Sequence, residues 1–141
     1  MSRPKIGDRL RRKIRASAEE KCGYCQAPQR LVHAPLEIDH LIPPMLGGTD
    51  EEENLWLACP FCNGYKAAQI GAVDSSTGTF ETLFNPRRQS WNDHFEWSKD
   101  GLRILGITAV GRVTVIALRL NHDDVLRTRA VWINCDLHPP N

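Results

Sequence analysis

The chain has 141 residues, of which 41% are hydrophobic and 25% charged, and its formal net charge is +1. That length supports one domain with a modest core and not two comfortable ones, and a near-neutral total does not by itself announce a nucleic-acid binder. No apolar run is long enough to span a bilayer and the first residues lack the apolar segment of a secretory signal, so the expectation is a cytoplasmic protein without a membrane partner.

Charge is unevenly placed. Arg3, Lys5, Arg9, Arg11, Arg12, Lys13 and Arg15 face one acid, Asp8, across the first fifteen positions. Ile6, Leu10, Ile14 and Ala18 recur at helical spacing through this stretch, so residues 1–20 read as an amphipathic helix with a basic outer face. That face is either solvated or in contact with phosphate, and Arg11 and Arg12 are the candidates for contact. Gly23, inside Cys22-x-x-Cys25, is expected to permit a tight turn. Residues 26–35, with Pro28, Pro35 and a surface His33, read as loop. Leu36 to Ile42 alternates apolar and polar side chains, a short strand, stopped by Pro43-Pro44 and followed by a flexible turn at Gly47-Gly48.

The acids from Asp50 to Glu53 suggest a solvated helix start, and Leu55, Trp56 and Leu57 should pack beneath the cysteines. Pro60 stands at a first helical position, so Cys59-x-x-Cys62 is expected to open a helix running to about Gln69, with Asn63 and Lys66 on one face. Beyond it, Ser75-Ser76-Thr77-Gly78 marks one hairpin and Lys99-Asp100-Gly101 a second. Asn85-Pro86 looks like the cap of a helix through RRQSWNDHF. Residues 110–120 fit helical spacing after a Thr108 cap, although the β-branched VTVI run also suits a strand. Asp123 should cap a last helix ending near Ile133, before a frayed tail. Trp56, Trp91, Trp97 and Trp132 are expected in the core, and His94, His122 and His138 as ordinary polar residues.

Two Cys-x-x-Cys pairs in a chain without a signal segment favour zinc over disulfides. A short knuckle lets two sulfurs converge on one ion, so Cys22, Cys25, Cys59 and Cys62 form a candidate structural Zn²⁺ site. Cys135 is left over, a small buried hydrophobe. Between the knuckles lies a different set. Asp39 offers a hard anionic ligand and Asn63 a neutral oxygen, a low ligand count that suits Mg²⁺ or Mn²⁺. His40 has the chemistry of a base near neutral pH, and Asn54 could fix its ring. In strict strand geometry Asp39 and His40 point to opposite faces, so they serve one site only where the strand ends or twists.

The combination Cys22-x-x-Cys25, Glu37-x-Asp39-His40, Gly47-Gly48, Glu53-Asn54-Leu55 and Cys59-x-x-Cys62-Asn63-x-x-Lys66 resembles the HNH endonuclease family over roughly residues 20–68. The resemblance implies an α+β fold: a ββα-metal, treble-clef-like core (21–69) with structural zinc, after the N-terminal helix (1–20) and before an α/β extension (70–141), all in one domain. It implies a metal-dependent endonuclease acting on DNA, with RNA possible. His40 would be the general base, Asp39 the metal-ligating carboxylate and Asn54 the central asparagine. Asn63 stands where many members have a final histidine. Lys66, Arg87 and Arg88 are further candidates for phosphate contact, with surface arginine the competing account of each arginine. One such site cuts one strand per encounter, so a monomer should nick and a homodimer could break both strands. The rival reading is a zinc-stabilised module that binds nucleic acid or protein without catalysis.

Overall fold

A computed structural model describes residues 6–140 of the chain. Arg3 and Lys5, and with them the first quarter of the expected basic helix, lie outside the described residues. Helix α1 (Asp8–Ser17) follows the hydrophobic stripe: Ile14 is fully buried, with Leu10 packed against the core beside it. The helix stops before Glu20 because Glu19 and Glu20 both adopt left-handed φ, 56° and 55°. That reversal delivers the chain into the first knuckle.

Strand β1 (Glu37–His40) pairs antiparallel with β2 (Leu55–Ala58), with Glu37 opposite Ala58 and His40 opposite Leu55. Leu55, Leu57 and Ala58 are wholly buried. Helix α2 (Pro60–Lys66) follows β2 at once, its N-terminus capped by the Cys59 sulfur accepting from the Cys62 N–H. Proline at the first turn costs no hydrogen bond there. Strand, strand and helix make the expected ββα unit, and the whole is a mixed α/β fold with small antiparallel sheets.

Gly23 is needed for a reason other than turn conformation. Its backbone is not left-handed, but a Cβ there would overlap the Trp56 ring and Pro86. The first knuckle therefore sits directly on β2.

The extension carries two hairpins, β3 (Gly71–Val73) with β4 (Phe80–Thr82) and β5 (Phe95–Trp97) with β6 (Ile104–Gly106), both at the expected turns. Between them, the helix expected from Asn85 is reduced to α3 (Trp91–His94). Asn85 Oδ1 accepts from the Arg87 and Arg88 N–H groups, a local turn that competes with helix propagation. Residues 109–117 settle as helix α4 (Ala109–Ala117), capped by Thr108 through the Gly111 N–H. Tertiary packing overrides the β-branched preference of VTVI, since Val113 and Thr114 are buried and Thr114 Oγ1 accepts from the Phe84 N–H. Helix α5 (Asp123–Asn134) is capped by His122, one residue before the expected Asp123.

Two expectations at the C-terminus are corrected. Cys135 is exposed, so it is not a core hydrophobe. The His-Pro-Pro tail is held down: His138 Nε2 bonds the Gly101 carbonyl at 2.9 Å, and its ring stands edge-on to Trp97 at 4.4 Å. The extension is also tied to the knuckles, through Trp91 Nε1–H donating to the Tyr24 carbonyl at 2.8 Å. Arg129 of α5 is fully buried. Its guanidinium donates to the Leu102 and Leu120 carbonyls and to Asn121 Oδ1, and stacks over Trp97.

Candidate active site and metal centre

The four knuckle cysteines are buried and unoxidised, and their sulfurs all lie within 4.8 Å of one another. Cys25 Sγ and Cys59 Sγ stand 3.8 Å apart. A disulfide needs about 2.05 Å. Tetrahedral Zn²⁺ with bonds of about 2.3 Å separates its sulfurs by about 3.8 Å. The residues present therefore fit zinc. Contacts among the thiols push Cys25 and Cys62 well up, with burial adding, and pull Cys59 down against its burial.

The second group of polar residues straddles β1. On one side, Asp39 is 2% exposed, and both its oxygens are taken: Oδ2 by the Tyr24 hydroxyl at 2.6 Å, Oδ1 by the Lys66 ammonium at 3.1 Å. Burial pushes its carboxyl up, while Lys66 and the Tyr24 hydroxyl pull it back. Burial and the Asp39 charge push the Tyr24 phenol well up, so it stays a donor. Lys66 also donates to the His40 carbonyl at 2.8 Å. Asn63 Nδ2 donates to Glu37 Oε1 at 2.9 Å. Glu37 and Asp39 share one face of β1 and Asn63 and Lys66 one face of α2, so two polar bonds cross-brace strand to helix.

On the other side, His40 Nε2 is 2.7 Å from Asp50 Oδ1. A carboxylate only accepts, so Nε2 carries the proton in the neutral ring and Nδ1 carries the lone pair. Asp50 lies in the loop between Gly48 and Asn54, among acids expected to begin a solvated helix. A carboxylate ten residues from the histidine has no periodic signature, and only the loop's closure brings the two together.

Asn54 makes that closure. Its Oδ1 accepts from the Ile42 N–H at 2.9 Å, and its Nδ2 donates to the Ile42 carbonyl at 3.0 Å and the Thr49 carbonyl at 2.8 Å. Its own carbonyl accepts from the Leu41 N–H. Asn54 thus does not touch the imidazole, as the sequence suggested it could; it stitches the loop that presents Asp50. Gly48 is required in the same loop, because a Cβ there would collide with the Ile42 carbonyl. Asn54→Ala should destabilise the fold by about 3 kcal/mol, three lost part-buried hydrogen bonds at about 1 kcal/mol each. Urea melts would measure the loss, and faster amide exchange concentrated at residues 41–50 would place it in the loop.

Residues 22–69 match the family model described as HNH endonuclease, a span that begins at the first knuckle cysteine and runs through β1, β2 and α2. This segment is an HNH domain. No curated protein and no solved structure matches the chain.

Within the HNH domain and its flanks, the structure sorts the basic candidates. Lys66 is buried and bonded inward, so it is not available to phosphate in this arrangement, contrary to the sequence expectation. Arg87 spends Nε and Nη2 on the Leu55 carbonyl and lies over the Trp56 ring at 4.9 Å; it braces β2. Arg11 donates to the Ile6 carbonyl. Arg12 and Arg88 are exposed, and Arg88 edges the two clefts beside the Asn54 loop. None of Asp39, His40 and Asn63 lines those clefts. The HNH domain thus brings Asp39, Asn63, Glu37, Lys66 and Tyr24 together at the β1–α2 interface and holds the His40 ring with Asp50 on the loop side.

Proposed function

We propose that the chain is a metal-dependent endonuclease that hydrolyses DNA phosphodiester bonds, with His40 as general base and a divalent cation, Mg²⁺ or Mn²⁺, on Asp39 and Asn63. The observation that carries this reading is the His40–Asp50 hydrogen bond at the end of β1 of an HNH domain. Asp50 fixes the tautomer that leaves Nδ1 free to take a proton from water and steadies the imidazolium that results. Asn54 holds the loop that keeps Asp50 in place. One carboxylate and one amide oxygen are a donor set suited to a hard cation that keeps water and phosphate ligands. When bound, that ion supplies Lewis acidity to the phosphate and the leaving 3′-oxygen. The rival reading, a zinc-stabilised binding module without catalysis, accounts for the cysteines. It gives no reason for a histidine oriented by a carboxylate.

The 1–20, 21–69 and 70–141 segments act in this reading as one domain, working as a monomer or homodimer. Among the described residues no helix is long and apolar enough to cross a membrane. Nucleic acid is the substrate class an HNH domain implies. The test is relaxation of supercoiled plasmid by the zinc-loaded chain with Mg²⁺ or Mn²⁺, and its suppression by EDTA. Binding to DNA without relaxation in either ion would favour the module.

Asp50→Asn probes the orienting role. An amide can donate to Nε2 and so favour the tautomer with Nδ1 protonated, which cannot act as base. Nicking should fall about 10- to 100-fold, the usual cost of losing a partner behind a working side chain, with little change in Tm. An unchanged rate would remove Asp50 from the mechanism.

A further inference from the structure

Lys66 stands where a cation on Asp39 would act. Its ammonium lies 3.1 Å from Asp39 Oδ1 and 2.8 Å from the His40 carbonyl, and the two charged side chains are 3% and 2% exposed. With Tyr24 on Oδ2, each oxygen of the carboxylate already carries one hydrogen bond. A dication on Oδ1 and the ammonium would be two positive charges within a few ångströms in a desolvated interface, where charges interact most strongly.

We propose that Lys66 is a placeholder for the cation: it neutralises and positions Asp39 in the cation-free chain, and leaves when a divalent ion binds. The inference rests on the reading of Asp39 as a cation ligand. Two features of the fold permit the exchange. Lys66 is the last residue of α2, ahead of Ala67 with its left-handed φ of 46°, so its four-carbon stem is anchored at a helix end. Lys66 and Tyr24 also form part of the wall of a cleft of about 720 Å³, which continues past Ile42 and Leu46 to Arg88 and Gln89. In the proposed exchange the ammonium swings from Asp39 toward that cleft. In this scheme Lys66 is a positioning residue that sets how tightly the site takes its ion, because binding must first displace an internal competitor.

The test is Mn²⁺ binding to the full, zinc-loaded chain, followed by paramagnetic resonance of free Mn²⁺ and by Tm. Mn²⁺ does not compete with zinc for the thiolates. Lys66→Met keeps most of the stem and removes the charge. It should bind Mn²⁺ at least tenfold more tightly than wild type and show a larger Mn²⁺-dependent rise in Tm, whereas Lys66→Arg should not tighten. If Lys66→Met is unfolded without divalent ion, recovery of its cooperative melt on adding Mn²⁺ supports the placeholder role, and failure to recover overturns it. Equal or weaker Mn²⁺ binding by a folded Lys66→Met also overturns it. Asp39→Asn separates the two ideas. If it loses Mn²⁺ while Lys66→Met gains nothing, Asp39 is the ligand and only the placeholder role falls. If it binds as wild type does, the reading of Asp39 as ligand falls, and the placeholder role with it.

Discussion

His40→Ala should abolish nicking of supercoiled plasmid, a loss of about 10²–10⁴-fold for removal of a positioned general base, while leaving zinc content and Tm close to wild type. The expectation of an intact fold comes from where the ring sits. The imidazole is about a quarter exposed and its described side-chain bond is to Asp50, itself a third exposed. The strand's pairing to Leu55 is made by backbone. The buried work nearby is done by Asp39, Lys66 and Asn54, none of which depends on the ring. Removing it therefore costs one partly exposed hydrogen bond and little packing. The measurement is plasmid relaxation in Mg²⁺ and Mn²⁺ beside a thermal melt. Nicking by His40→Ala at the wild-type rate would take His40 out of the chemistry and leave the binding module as the better account.

Cys59→Ser should be the most damaging single change to the fold. Structural zinc contributes an apparent free energy on the order of 10–16 kcal/mol at neutral pH in small zinc domains, comparable to the whole stability of a domain this size. Cys59 also caps α2 and joins the second knuckle to β2, while the first knuckle packs Gly23 against Trp56. Losing the ion would therefore loosen both knuckles, β2 and the start of α2 together. The expected result is a chain with no bound zinc by mass spectrometry and no cooperative melt at 37 °C. Retention of one zinc per chain with an unchanged Tm would refute the four-cysteine site.

Much of this was legible in the sequence where the signal is local. Two Cys-x-x-Cys pairs, Pro60 after a cysteine, and Gly-containing turns between alternating segments each have a short-range physical cause, and each appears where expected. Long-range polar partners were not legible. Tyr24 on Asp39 and Glu37 on Asn63 arise from how the first knuckle and α2 close over β1. No spacing rule announces that a lysine drawn as a phosphate contact will turn inward to a carboxylate. Asp50 was hidden for a similar reason, since an acid among acids reads as solvated until a loop closes around it. The shortened helix after Asn85 and the pinned tail reflect the same limit: side-chain bonds and aromatic packing outweighed propensity at the ends of elements.

The bond from the Trp91 indole to the Tyr24 carbonyl has a practical consequence for how the protein is dissected. Tyr24 is a partner of Asp39, so a residue 67 positions downstream steadies the backbone beneath the catalytic candidates. The stretch that carries the family signature is shorter than the core it packs into. A minimal fragment cut to the signature would strip Phe84, Trp91 and Phe95 from its underside. Truncation is thus a poor way to ask what the cysteines and His40 do, and point substitutions in the intact chain are the sharper tool.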